Sequence, residues 1–466
     1  MMKRFFYFSL LFVTLLVCPV WAQTTQTTPD LTNASLDLLN QVYTLLKDNI
    51  VEPVEDESIW NSYKEACFSY LKEQKLSASA LEKEPFIGEL QQKISHLYKK
   101  AVEFYPQLTC DQTFTETLAQ AILEAAQDDY TFFISAKEYA DFTDSLSGDY
   151  SSGVGIMLWP RRDKNGRSHF IIADLAPHSP AWKAGLKSGD ELKAIEGKSL
   201  ESLSPSECAR MLKGANGTTV EIGYLTRLAR LGPEPTLKTV KLTRGPVHYP
   251  SVTERVLSLP DGGGNIGLLR VDMFGESTNI EAERALRKLE EANCQGYILD
   301  LRDNPGGYTN AARDLCSKFM PVNSLVASLR DRCDKKEEEI FTYRNFHPLK
   351  PTVVLINNKT ASAAEITAGA LRANRHILLV GETSFGKNSS QRIFNFNFPP
   401  GKTSACKITF SHYKTPDNKD LGKIGLKPDY EVKMEPLKRH RYSSDRQLQK
   451  AIEVLKEVLS PKKDNK

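Results

Sequence analysis

Charge imbalance, zinc-type cysteine spacing and long apolar runs are all scarce in this chain. Its 61 Lys and Arg balance 58 Asp and Glu, for a formal net charge of +3, which argues against nucleic acid as a partner. After residue 22 no segment is apolar enough to cross a bilayer. None of the eight cysteines falls in a CxxC or Cys/His cluster with zinc spacing, so neither a metal nor a cofactor is expected. No cysteine has the glycine-rich or histidine-paired setting of a nucleophile. The histidines, His96, His169, His178, His248, His347, His376, His412 and His440, form no recognisable triad motif, though a distant partner stays open.

The amino terminus indicates the compartment. Met1 to Arg4 are a positive region, Phe5 to Val17 an apolar run too short to span, and Val20-Trp21-Ala22 a small-x-small site before Gln23. Together they describe a secretory signal peptide, 1–22, and an exported, periplasmic or extracytoplasmic protein. Cys18 after Leu-Val offers lipidation, and hence membrane association, as the alternative to cleavage after Ala22, with bulky Val17 against it. Loss of Lys3 and Arg4, the only charges there, takes the net charge from +3 to +1. Seven cysteines remain, and an oxidising compartment allows one or more disulfides, with Cys67 and Cys110, in one helical region, a candidate pair whose connectivity the sequence leaves open.

Composition and periodicity divide the rest into a helical region (23–147), a glycine-punctuated β region (148–245) and an α/β region (246–466). Leu36, Leu39, Val42 and Leu46, then Phe114, Leu118, Ile122 and Ala125, repeat at helical spacing. Residues 56–110 between them are rich in Lys and Glu, with a break at Glu84-Pro85, and read as a helical support with a solvated face. Gly153, Val154, Gly155 and Ile156 then lead into a strand, and SPAWKAGLKSGDELKAIEGKSL (179–200) sets a short helix, a Gly-Asp turn and another strand in order. This order resembles a circularly permuted bacterial PDZ domain. Glycines there let backbone N–H groups converge on a terminal carboxylate while a strand edge accepts an extended peptide.

In the last region, strands at 265–269 and 296–301 flank a helix at 280–292, implying a parallel or mixed sheet with its ligand loops at the carboxyl ends of the strands. Asn304-Pro305-Gly306-Gly307 follows the second strand. Its free N–H groups suit an oxyanion hole. A third strand (352–357) turns sharply at Ser362 into a helix of small residues, placing that serine at the positive end of a helix dipole. With no triad histidine evident, the glycine-flanked Lys387 is the candidate base. Glu365 reads as a capping-box partner contributing roughly 0.5–1 kcal/mol, and Arg302 as an ion-pairing residue that pins loops.

DLRDNPGG (300–307), TASAAEITAGAL (360–371), VGETSFGKNSSQ (380–391), IGLKPDYEV (424–432) and DRQLQKAIEVL (445–455) together resemble the carboxyl-terminal processing peptidases, PDZ-bearing serine proteases with a Ser/Lys dyad. The resemblance implies an α+β multidomain fold: an N-terminal helical region, a permuted, β-barrel-like PDZ domain and an α/β protease core of the ClpP/crotonase type. It assigns Ser362 as nucleophile, Lys387 as base and Gln391 as the residue that orients the lysine. Ala363 with Gly306 or Gly307 supplies the oxyanion hole, and Gly153 to Ile156 the carboxylate loop. Polypeptides with accessible C-termini are the implied substrates, and an adaptor or activator protein and a homo-oligomer the implied associations. Where the family has flanking serines and a glycine after the lysine, this chain has Thr360, Ala364 and Asn388; asparagine tolerates left-handed backbone. Two other readings are kept: a catalytically silent PDZ adaptor, and an esterase or amidase of small substrates.

Overall fold

The computed structural model describes residues 30–147, 149–164, 166–226, 237–259, 264–331, 335–345, 347–433 and 444–460. The expected signal peptide, Cys18, Cys333 and His440 lie outside the described residues. Among the described residues no helix is long and apolar enough to cross a membrane.

The amino-terminal helices Thr32–Asn49, Asp56–Glu73, Leu90–Phe104 and Gln112–Glu124 bury one apolar face each. Leu39, Val42, Leu46, Leu118 and Ile122 are wholly buried in their common core, as the three- and four-residue spacing requires. The Glu84-Pro85 break falls between helical segments. Cys67 and Cys110 do not pair; Cys67 is a buried thiol packed in that core. Burial raises its pKa to about 12, so the environment that hides it also makes it a poor nucleophile. The helical core is not separate from the rest of the chain, since Phe396, Phe398, Cys406 and Ile408 of the last region pack into it. Strand Phe132–Ile134 joins a five-stranded sheet of that region, Phe133 lying opposite Cys406.

The PDZ-like unit is a six-stranded antiparallel sheet with the helix Pro205–Leu212 packed beside it. Ser204 and Glu207 form a capping box at the start of that helix. Chain entry and exit are clamped by pairing of strands Asp149–Gly153 and Gly245–His248.

The last region centres on a six-stranded sheet in the order Val252–Ser258, Asn265–Val271, Cys294–Asp300, Thr352–Ile356, Leu378–Gly381, Tyr430–Glu431. All neighbours after the first pair run parallel. Parallel strands need both faces covered, which explains their continuous apolar runs: helices Thr278–Glu291, Thr309–Phe319 and Ala363–Arg375 cover one face and the terminal helix Arg446–Leu459 the other. This is the α+β multidomain architecture expected, with the loops at the carboxyl ends of the parallel strands gathered together.

Arg302 fastens the terminal helix. Its guanidinium, 3% exposed, bonds both oxygens of Asp300 at 2.8 Å, Asp445 at 2.9 and 3.0 Å and Gln447 at 3.1 Å. Arg302→Met leaves Asp445 buried without its cation and Asp300 with only Arg270, at 3.5 Å, and the expected loss is about 3–5 kcal/mol. Urea unfolding checks this; a loss under about 1 kcal/mol would mean that the pair is not the clasp.

Candidate active site

Three loops meet at the carboxyl ends of the central strands. Ser362 caps the helix Ala363–Arg375 with φ 55° and ψ −120°, a conformation that costs a non-glycine residue on the order of 1–3 kcal/mol. Surrounding bonds hold it there. Thr360, fully buried, donates from its hydroxyl to Leu301 O and accepts from Asn357 N–H, Ala361 N–H donates to Asn304 O, and Phe385 N–H to Thr360 O. The threonine that replaces a family serine is therefore a structural stitch.

The Asn-Pro-Gly-Gly turn lies against the serine. A Cβ on Gly306 would come within 2.8 Å of Ser362 Cβ and 3.0 Å of Ala363 N, and one on Gly307 within 2.2 Å of Phe274 O. Both have positive φ, so both positions demand glycine. The Gly306 N–H is already donated to Asn304 Oδ1 at 2.8 Å. Of the two glycines named from sequence, Gly307 is the one left to offer its N–H beside Ala363.

Glu365 does more than cap a helix. It is fully buried, and its carboxylate accepts from Ser362 N–H (2.9 Å), Lys387 N–H (2.9 Å), Gly386 N–H (2.7 Å) and Ser384 Oγ (2.5 Å). One carboxylate oxygen thus bonds the backbone of both Ser362 and Lys387, fixing the two loops against each other. Burial pushes its pKa up, and bonds from Ser384, Lys387, Gly386 and Ser362 oppose that. On the other side of the same pair, the buried hydroxyl of Tyr413 lies between the carbonyls of Lys387 and Ser362, 3.3 Å from the latter.

Lys387 Nζ donates to Ser389 O at 2.6 Å and to Gln391 Oε1 at 2.9 Å, and lies 4.4 Å from the centre of the Tyr130 ring. Desolvation first, and the nearby Lys407 cation second, lower its pKa to about 8 against the pull of Asp128 and Glu365. No hydrogen bond joins Nζ to Ser362 among the described residues. Asn388 is not left-handed; its side chain donates to Asp420 at 2.7 Å, and Gly386 makes the turn at φ 87°. The lysine precedes the strand Ser389–Phe396, and a register shift at Ser390/Gln391 accompanies the contact to Gln391.

The model of peptidase family S41 matches residues 265–432 and a PDZ domain model residues 171–225. A carboxyl-terminal-processing protease of Synechocystis is 33% identical over 324 residues, 69% of this chain and 72% of that protein. The chain belongs to the carboxyl-terminal-processing proteases of family S41. The carboxy-terminal processing protease CtpA of Bacillus subtilis is 29% identical over 73% of this chain and 69% of its own. A Bacteroides fragilis structure described as a candidate S41 protease superposes with TM-score 0.53 at 19% identity, over 73% of this chain and 90% of that one, which supports the fold. Carboxyl-terminal-processing proteases are serine-type peptidases, and Ser362 is the serine the fold sets at a strained strand-to-helix turn.

Gly153 to Ile156 border a cavity of about 700 Å³ between the PDZ sheet and its helix, lined by Val154, Ile156, Leu158, Phe170, Ala209 and Leu212. The carbonyls of Val154 and Gly155 accept from Ala181 and Ala176 N–H. A Cβ on Gly155 would fall 2.1 Å from Ser179 Cβ. The same cavity reaches Met273 and Pro305 of the protease core. Tyr130, Tyr413, Thr409 and Asp128 had no motif to announce them; they come from segments distant in sequence, and only the fold sets them around Lys387.

Proposed function

We propose that this chain is an exported endopeptidase that recognises protein C-termini in its PDZ-like groove and cleaves the polypeptide with Ser362 and Lys387. The proposed organisation is a signal peptide (1–22), a helical region (23–147), a PDZ domain (148–245) and a protease core (246–466). The observation that carries the reading is the single Glu365 oxygen bonded to both Ser362 N–H and Lys387 N–H, beside an amine whose pKa is lowered to about 8.

A neutral lysine amine has two N–H donors and one lone pair. Ser389 O and Gln391 Oε1 take the two donors, leaving the lone pair to accept the proton of Ser362 Oγ. Ser362 Oγ then bonds to the scissile carbonyl carbon, and the oxyanion is received by the N–H groups of Ala363 and Gly307 at the positive end of the helix. The ammonium formed is stabilised by the Tyr130 ring face and returns its proton to the leaving amine. Water, deprotonated by the same lysine, releases the acyl chain. The apolar groove suits an apolar carboxyl-terminal residue, and its continuity with Pro305 would lead the bound chain toward the oxyanion turn.

Incubation with β-casein, with labelling of the serine by a fluorophosphonate, tests the reading. The wild type should cleave and label, and Ser362→Ala should do neither. A wild type that neither cleaves nor labels would favour a PDZ adaptor. Deletion of 148–245 that leaves casein cleavage unchanged would separate the groove from substrate capture.

A further inference from the structure

Behind Gln391 a chain of hydrogen bonds runs to a residue of the amino-terminal region. Asp128, in the turn after helix Gln112–Glu124, accepts through Oδ2 from Thr131 Oγ1 at 2.6 Å and from Thr409 Oγ1 at 2.5 Å. Thr409, 2% exposed, lies opposite Gln391 in the paired strands Ser389–Phe396 and Ser404–Lys414. Gln391 Nε2 donates to Thr409 Oγ1 at 3.2 Å and to Ser389 Oγ at 2.9 Å, while Gln391 Oε1 faces Lys387 Nζ.

The direction of each bond follows from donor chemistry. An ionised carboxylate only accepts, and a threonine hydroxyl has one proton. Thr409 therefore spends its proton on Asp128 and has only lone pairs to offer Gln391. The Gln391 amide must then turn its NH₂ toward Thr409 and its carbonyl toward Lys387. We propose that Asp128 is a positioning residue for the Lys387 base, acting through Thr409 to set the orientation of the Gln391 amide. The inference rests on the reading of Lys387 as the base. It gives the helical region a part in the chemistry: the turn 128–131 that supplies Asp128 also places Tyr130 against Nζ and tethers the Thr409 strand through Thr131, whose hydroxyl accepts from Thr409 N–H at 3.1 Å.

Asp128→Asn breaks the polarity at its source. An asparagine NH₂ can donate to Thr409, whose proton is then free for Gln391, and the amide can reverse to present NH₂ to the lysine. Facing an ammonium that NH₂ repels; facing the amine it competes for the lone pair meant for Ser362. Misplacing a reacting group by about 1 Å costs on the order of 100-fold.

The test measures β-casein cleavage and the fluorophosphonate labelling rate for full-length Asp128→Asn, Thr409→Val and Thr409→Ser, each normalised to labelled Ser362. Asp128→Asn and Thr409→Val should lose about ten- to a hundredfold in kcat with KM unchanged, and Thr409→Ser should recover most of what Thr409→Val loses. The charged and titratable groups facing Lys387 are Asp128, Lys407, Glu365, Tyr130 and Tyr413. Removing the Asp128 carboxylate, which favours the ammonium, should also move the acid limb of the rate profile to lower pH. A merely structural role would lower the unfolding midpoint and leave kcat per labelled site and the acid limb in place. Asp128→Asn and Thr409→Val within threefold of wild type per labelled site would overturn the positioning role while leaving the dyad standing. Wild-type rates in Lys387→Ala would instead bring down the dyad and this inference with it.

Discussion

Lys387→Arg should cleave β-casein at least a thousandfold more slowly than the wild type, although it conserves the charge. Removing a group that acts as the base of a nucleophilic serine costs on the order of 10³–10⁶ in kcat, and a guanidinium is never deprotonated at accessible pH. Wild-type turnover should therefore depend on pH in a direction set by the lysine. With its pKa lowered to about 8, the amine is mostly protonated at pH 6 and mostly neutral at pH 9. The rate should fall about tenfold per pH unit below 8 and level off above it. A profile flat from pH 6 to 9, or an arginine variant near wild-type rate, would sink Lys387 as the base. Stability serves as the control. The folded-state pKa lies below the ordinary lysine value of 10.5, so below pH 8 the fold holds the ammonium at a cost. Lys387→Met relieves that cost, so the inactive variant is expected to unfold at an equal or higher urea concentration at pH 7.

Glu365 carries the second large effect, and on both activity and stability. Its four bonding partners are all donors: three backbone N–H groups and the Ser384 hydroxyl. Ser384 Oγ already accepts from Leu426 N–H at 2.6 Å, which leaves its proton for the carboxylate. Glu365→Ala strands these donors in the interior at roughly 1–3 kcal/mol each before relaxation, and the expected net loss is on the order of 3–5 kcal/mol. Glu365→Gln is nearly isosteric yet cannot satisfy the site. Its NH₂ would face either Gly386 N–H on one side or both Ser362 and Lys387 N–H on the other. Cleavage per folded molecule should drop about a hundredfold or more in both variants, because the serine and lysine loops lose their shared anchor. Urea unfolding and casein cleavage measured on the same preparations check this. A glutamine variant with wild-type stability and rate would reduce Glu365 to the helix cap that its position in the motif suggests.

That difference shows where a linear reading stops. Three residues after Ser362, a glutamate is sufficiently explained by the capping box, and local spacing contains no signal that Ser384, Gly386 and Lys387 will close over the same carboxylate. The Asn388 side chain likewise pairs with Asp420 instead of relieving a left-handed turn, because Gly386 had already made that turn. Gly306 and Gly307 look equivalent in sequence. In the fold Asn304 captures one N–H and not the other.

By itself the sequence determined the α+β architecture, the PDZ-like unit and the resemblance to the carboxyl-terminal processing peptidases, because apolar periodicity, turn glycines and ordered motifs are properties of neighbours along the chain. It also located the strand-to-helix turn of Ser362 and the spacing to Lys387 and Gln391. Only the tertiary structure decided what surrounds the lysine: Tyr130 and Asp128 from the end of the helical region, and Thr409 and Tyr413 from a strand more than 270 residues later. Desolvation, the direction of a hydrogen bond and the pKa of an amine depend on atoms a few ångströms away in space. Contacts of that sequence separation have no periodicity to betray them.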